Sequence, residues 1–305
     1  MLAKAQRHKA SCLPADKEYV RHGTKCQLNF NGFAKRQSVR RGGRFIFRRG
    51  KILYMIIQIY EIQTPREAED LIEAGVDHIG SVLTPEGTLK RPLLKETIDV
   101  VRSSASKSSL IPLFSDIDSI SHALDFYKPD IVHFCEDLNR YKNNRSGLDY
   151  LVDLQENIKE RFPEILIMRS IPISQPGIAE FFSSIVLAKK FKHVSDYFLT
   201  DTVIVNNSGP IYDSQPVNGF VGITGLTCNW DIARKLVDST DTPVILAGGL
   251  SPDNVFDGIM IVRPAGVDSC TQTNACDMQG NTVRFKKDII KVKRFIEESR
   301  RAETV

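Results

Sequence analysis

PVILAGGLSPDNVFDGIMIVRPAGVDSCT, residues 243–271, is the stretch from which the fold is read. An apolar run from Val244 to Ala247 ends in Gly248-Gly249. An amphipathic segment follows, and then a second short strand, Gly266-Val267-Asp268-Ser269. Ser251-Pro252-Asp253 has the chemistry of a helix start, with Ser as N-cap and Pro at the first helical position. The stretch is therefore a strand–loop–helix–strand unit. Paired glycines let backbone N–H groups approach a ligand unobstructed, and a helix N-terminus favours an anion. Near the end of a chain, (β/α)₈ barrels commonly hold a phosphate at such a place. The same spacing also suits a plain turn that tolerates two glycines.

Outward from this unit, the alternation repeats. Short β-branched runs at 55–60, 77–83, 109–114, 130–135, 165–170, 196–201, 243–248 and 266–270 read as strands. Helical patterns fall at 65–74, 92–103, 117–127, 145–161, 175–190, 229–238, 252–262 and 285–300. Thr64-Pro65-Arg66-Glu67 opens the first helix and Gly75 closes it. Runs such as Ile131-Val132-His133-Phe134 suit strands buried on both faces of a parallel sheet. Eight such units in roughly 250 residues fit a (β/α)₈ TIM barrel, an α/β fold, as a single domain. A doubly wound sheet has no early Gly-x-Gly-x-x-Gly to support it.

The charge is unevenly placed. Residues 1–54 carry 14 Lys+Arg against 2 Asp+Glu, whereas residues 55–305 carry 27 against 35. A basic N-terminal extension, disordered in isolation, is expected ahead of an acidic barrel domain at 55–305. Three readings stay open for it: a nucleic-acid-binding arm, an Arg-rich transit segment, or upstream sequence ahead of a true start at Met55. Nucleic acid is not expected as a partner outside residues 1–54. No apolar run reaches the length of a membrane span, so a soluble chain without membrane contact is expected. The six cysteines (Cys12, Cys26, Cys135, Cys228, Cys270, Cys276) have no CxxC and no zinc-ligand spacing. They read as reduced thiols in a cytoplasmic protein, with no metal site.

GVDHIGSVL (75–83), DIVHFCED (130–137), ILIMRSIPI (165–173), FLTDT (198–202), GITGLTCNWDIA (222–233), ILAGGLSPDNV (245–255) and GVDS (266–269) fall in order along the chain. In that order they resemble the strand ends of the phosphoribosylanthranilate isomerase family, over roughly residues 55–300. These are ribulose-phosphate-binding barrels that carry out an Amadori rearrangement in tryptophan biosynthesis. The resemblance implies a phosphate cradle at Gly222, Thr224 and Gly225 after the sixth strand, and at Gly248 and Gly249 after the seventh. Where the family usually has Ser-Gly after the eighth strand, this chain has Cys270-Thr271-Gln272. It implies Asp201 as the general acid that opens the sugar ring. It also implies Arg91 as a binder of the anthranilate carboxylate, and Arg169 as either a charge near the phosphate or a paired structural residue.

The family's general base is a cysteine ending the first strand, in Lys-x-Cys-Gly. This chain has Gln58-Ile59-Tyr60-Glu61 there, and so lacks the cysteine. Tyrosine ionises near pH 10 and is a poor base at neutrality, besides being bulky. Glu61 and Cys135 are the replacement bases to weigh, against a Tyr60 that simply fills the barrel mouth. His133 is expected to be a hydrogen-bonded interior residue. Asp268 is expected to pair within the barrel or support a loop, and Trp230 to anchor packing. The expected activity is a cofactor-free aldose–ketose isomerisation of a phosphorylated sugar by a monomer or homodimer. A different pentose-phosphate reaction, or phospholigand binding without catalysis, remains as the alternative.

Overall fold

The computed structural model describes residues 54–305 apart from 142, 181, 207–208 and 211–216. The basic leader, except Tyr54, lies outside the described residues, as do Cys12 and Cys26. Eight strands form the sheet: β1 (Ile56–Ile59), β2 (His78–Leu83), β3 (Lys107–Pro112), β4 (Ile131–Phe134), β5 (Leu166–Ser174), β6 (Tyr197–Val203), β7 (Val244–Leu246) and β8 (Gly266–Ser269). All adjacent pairs are parallel, and β8 returns to β1 with Ile56 opposite Gly266 and Gln58 opposite Asp268, which closes the barrel. The expected fold class is therefore the one observed.

The helices are α1 (Pro65–Ala74), α2 (Pro92–Arg102), α3 (Ile117–Tyr127), α4 (Arg145–Arg161), α5 (Ser184–Phe191), α6 (Trp230–Ser239), α7 (Val255–Val262) and α8 (Ile289–Arg301). Local chemistry sets their ends. Thr64 caps α1 by accepting from the Glu67 N–H, and Gly75 terminates it in the left-handed region at φ +90°. Asp116, Asn144, Asn229 and Asp288 cap α3, α4, α6 and α8 through their side chains. No helix among the described residues is long and apolar enough to cross a membrane.

Strand alternation sorts the residues into two layers. Ile57, Ile59, Ile167 and Ile171 pack outward in the large core between sheet and helices, whereas Ile56, Tyr60, Ile131, Met168 and Leu199 fill the barrel interior. Trp230 is half-buried against the outer core, as its expected packing role requires.

Three helix expectations need correction. Segment 175–190 is helical only from Ser184, because β5 runs on to Ser174 and a turn at Pro176-Gly177 follows. Residues 285–287 belong to a strand, Thr282–Lys287, which pairs antiparallel with Asn274–Cys276. Its α8 starts only after Asp288. Helix α7 starts at Val255 with Asn254 as cap, while Ser251-Pro252-Asp253 forms a preceding turn whose Ser251 carbonyl accepts from Asn254 and Val255.

Candidate functional site

The C-terminal ends of the strands surround a cavity open at its mouth. Tyr60, Asp201 and Asp268 line it from the strand ends, with Gly222, Thr224, Gly225, Gly248 and Gly249 from the loops after β6 and β7. Those two loops pack backbone against backbone, since a Cβ on Gly249 would lie 2.5 Å from the Leu226 carbonyl carbon, and each loop is held by its own hydrogen bond. The Thr202 hydroxyl donates to the Leu226 carbonyl at 2.6 Å, and the Asn254 amide donates to the Gly249 carbonyl at 3.1 Å. Gln272 reaches in from the loop after β8 and donates to the Gly225 carbonyl at 2.9 Å.

The loop between β6 and α6 also covers one side of the cavity. Val221 N–H donates to the Cys135 carbonyl and Asp137 N–H to the Gly219 carbonyl, both at 2.9 Å. Val217 and Phe220 then pack with Val82, Leu113 and Cys135. One wall is thus apolar, while the opposite loops present backbone.

Two carboxyls sit in this cavity. Asp201 lies near the C-terminal end of β6 with Oδ1 accepting the Thr202 N–H at 2.9 Å, and a methyl at Gly222 (φ +100°) would overlap its carboxylate. Burial raises the Asp201 pKa to about 7, against the lowering effect of that hydrogen bond. Asp268, on β8, accepts from Gln58 Nε2 at 3.1 Å. Burial first, and then the Asp201 charge, push it to about 7 also.

Tyr60 is buried, 4% exposed, with its ring across the barrel mouth. Its hydroxyl shares a hydrogen with Ser109 Oγ at 2.6 Å and with His133 Nδ1 at 2.9 Å, and His133 Nε2 meets Ser170 Oγ at 2.9 Å. Burial, and then the Arg169 charge, lower the His133 pKa to about 3, so this chain of four groups is neutral. His133 is the hydrogen-bonded interior residue expected of it.

Comparisons with known proteins agree on one family. A sequence model described as N-(5'phosphoribosyl)anthranilate (PRA) isomerase matches residues 165–297. N-(5'-phosphoribosyl)anthranilate isomerase 2 of Methanosarcina mazei is 34% identical over 48% of this chain, a stretch that spans 60% of that relative's length. The N-(5'-phosphoribosyl)anthranilate isomerase of Methanosarcina acetivorans is 26% identical over 80% of this chain and 92% of its own. Among solved structures, the phosphoribosylanthranilate isomerase of Thermotoga maritima superposes with a TM-score of 0.56 at 21% identity, covering 81% of this chain and 99% of that one. Over these stretches the chain is similar to the phosphoribosylanthranilate isomerase family.

Within that family frame, the residues singled out from sequence separate into two groups. Asp201, Gly222, Thr224, Gly225, Gly248 and Gly249 converge on the cavity, and so do Glu61 and Cys135. Arg91 and Arg169 do not. The Arg91 guanidinium folds back onto its own loop, donating to the carbonyls of Thr84 at 2.9 Å, Glu86 at 2.6 Å and Thr88 at 3.3 Å. Arg169 shares the outward face of β5 with Ile167 and Ile171, stacks on Phe191 of α5 and pairs with Glu136 at 2.6 Å, fully buried. Its place beside a phosphate is corrected accordingly, and the structural alternative describes it.

Glu61 stands at φ +70° and is tied to the 282–287 strand. Asn274 Nδ2 donates to it at 3.0 Å, and Arg284 at 2.7 Å through Nε. Burial raises its pKa, but that hydrogen bond and the Arg284 and Lys287 charges outweigh burial and leave it lowered. The Cys135 thiol is pushed well up by burial, and further by the charges of Glu136 and Asp201. Glu61 is therefore a weak base where it stands, and Cys135 stays a neutral thiol near neutral pH, with little thiolate to act as one. Sequence reading missed the hairpin that brings Arg284 and Lys287 to the mouth. It also gave Asp268 no place in the cavity, although Asp268 shares the alternation of Cys270.

Proposed function

We propose that this chain catalyses the Amadori-type isomerisation of N-(5'-phosphoribosyl)anthranilate, the reaction implied by that family, as a step of tryptophan biosynthesis. The observation that carries the proposal is Asp201, a carboxyl kept protonated to about pH 7 by burial at the tip of β6. A general acid works best with a pKa near the operating pH. Asp201 gives its proton to the ring oxygen, and the ring opens as the anthranilate nitrogen takes up the developing positive charge at C1. The phosphate is assigned to the backbone N–H groups around Gly222, Thr224, Gly225, Gly248 and Gly249, where positive φ and close packing expose main chain. The solved structure of a related isomerase in complex with reduced 1-(o-carboxyphenylamino)-1-deoxyribulose 5-phosphate supports a phosphorylated ligand. Another is of generated monomers of the dimeric enzyme from Thermotoga maritima, so a homodimer and a monomer are both within the proposal. A cytoplasmic location belongs to it as well.

The test is the fluorescence change on turnover of phosphoribosylanthranilate by the full chain. Asp201→Asn is expected to lower kcat by about 10²–10⁴-fold, the contribution of a positioned general acid. An unchanged rate in that variant would sink the role of Asp201.

Tyr60 in the cysteine's place favours a second reading, in which the same cradle serves another pentose-phosphate reaction. Binding of the reduced analogue without turnover, together with turnover of another sugar phosphate, would select it.

A further inference from the structure

We propose that Asp268 is the general base of this barrel, taking the C2 proton of the sugar in place of the cysteine that Tyr60 displaces, with Gln58 as its positioning residue. This assignment rests on the isomerase reading above. Its geometry begins with strand register. Gln58 and Asp268 are direct partners across β1 and β8, and both point into the barrel. The Gln58 amide donates to Asp268 Oδ1 at 3.1 Å, while its own oxygen lies 3.1 Å from His78 Nδ1. With His78 neutral, its pKa lowered to about 3 by burial and by the Lys107 charge, that contact runs from the His78 N–H to Gln58. The chain His78–Gln58–Asp268 fixes the carboxyl without placing a cation on it.

The substitution at position 58 gives this arrangement its meaning. In the family motif Lys-x-Cys-Gly, the residue aligned with Gln58 is lysine. An ammonium in hydrogen-bond reach of Asp268 would hold it as a low-pKa, ion-paired carboxylate. Glutamine keeps the hydrogen bond and removes the charge. The two departures in Gln58-Ile59-Tyr60 are thus linked: one eliminates the family's base, and the other frees a neighbouring carboxyl to act as one. The alternatives are committed elsewhere, Glu61 to Arg284, the Tyr60 hydroxyl to Ser109 and His133.

The proton inventory closes. Asp201 gives its proton to the ring oxygen as the C1–O bond breaks and the nitrogen lone pair forms a C=N⁺ bond. The Asp268 carboxylate then takes the C2 hydrogen. The C–H pair becomes the C1=C2 bond, and the C=N⁺ pair returns to nitrogen. The resulting enolamine becomes the aminoketose by gaining a proton at C1 and losing one from the C2 hydroxyl. Asp201 finishes one proton short and Asp268 one proton richer, and exchange through solvent resets both.

The groups facing Asp268 are Gln58 and Tyr60 from β1, Asp201 from β6, Cys270 beyond the end of its own strand, and Lys287 from the 282–287 strand. Two carboxyls in one cavity titrate as a pair, so the active form carries a single proton between them. The rate of the unsubstituted protein is therefore expected to fall on both sides of neutrality.

The experiment is kcat and KM against pH for the full chain and for Asp268→Asn, Asp268→Glu and Gln58→Lys, with binding of the reduced aminoketose analogue measured alongside. Asp268→Asn is expected to lower kcat by about 10²–10⁴-fold and to remove the fall in rate at low pH, with analogue binding kept. Asp268→Glu is expected to recover part of the rate. Gln58→Lys is expected to shift the low-pH fall to lower pH and reduce kcat, even if Asp268→Asn does not fold. Full activity in Asp268→Asn, or a loss confined to Glu61→Gln or Cys135→Ser, would overturn the assignment while leaving the isomerase intact. An unsubstituted protein that binds the analogue but never turns substrate over would overturn the isomerase reading, and the base with it.

Discussion

At Gly80, on β2, the absence of a side chain is what admits Tyr60. A methyl at that position would overlap the Cδ1 and Cε1 atoms of the tyrosine ring. Overpacking a rigid core commonly costs about 1–3 kcal/mol, and an aromatic ring fixed by hydrogen bonds at its tip has little room to give. Gly80→Ala is therefore expected to destabilise the barrel by roughly 2–3 kcal/mol in urea unfolding. The same change made on a Tyr60→Cys background should cost much less. Additive costs in that double-mutant cycle would show that the ring and the glycine do not constrain each other. The site was only partly legible at this scale. Asp201 and the cradle glycines were readable because their loops carry their own punctuation. The fate of Arg169 was hidden because β5 is buried on both faces, so hydropathy gives no alternation to tell inside from outside. Gly80 was silent because a glycine in a strand does not announce which distant side chain occupies its space.

Elements meet most closely where the loop after β7 crosses the loop after β6. A Cβ on Gly249 would lie 2.5 Å from the Leu226 carbonyl carbon and the Thr227 nitrogen, and the residue stands at φ +61°. Backbone cannot swing aside as a side chain can, so Gly249→Ala must push the two loops apart. We expect at least a tenfold loss of affinity for the reduced aminoketose phosphate in calorimetry. Gly177→Ala provides the contrast, with φ +77° but nothing within 4 Å, and should leave that affinity unchanged. Equal losses in both would mean that φ strain alone matters and that the loop contact does not. The barrel itself was legible because most strand–helix units repeat the same signals of Pro, Asp or Asn at the helix start and β-branched runs. What escaped were departures from the repeat. Thr282–Lys287 alternates in exposure along a two-stranded hairpin, and six residues of that kind running into α8 carry no period long enough to separate strand from helix. The late start of α7 escaped because Ser251-Pro252 is equally good chemistry for a turn that precedes a helix.

Taken as a whole, the barrel buries ionisable groups of opposite tendency, and its stability should record them. Asp268 is 6% exposed and has its pKa raised from 3.8 to about 7, mainly by burial. A carboxyl raised on folding binds more protons in the native state than in the unfolded chain. Its contribution is fully present below the unfolded pKa and is lost as pH rises through the folded one. The full penalty therefore applies above pH 7 and amounts to roughly 4 kcal/mol at most, at 1.36 kcal/mol for each pH unit between the two values. Glu61 has the opposite sign: its lowered pKa makes the Arg284 pair stabilising above the usual glutamate range and weaker as pH falls through it. Asn at position 268 keeps an oxygen for the Gln58 amide and never ionises. Asp268→Asn is accordingly expected to melt several degrees above the unsubstituted protein at pH 8, with the gap narrowing as pH falls through the folded pKa and closing only below the unfolded one, near pH 4. Thermal unfolding of both proteins across that range checks it. A constant gap would mean that Asp268 is ionised throughout the folded state, and a lower melting temperature for the variant at pH 8 would mean that the cavity stabilises the carboxylate. In either case the barrel would have kept the ion-paired aspartate that a lysine at position 58 would provide, and the loss of that lysine would have changed nothing.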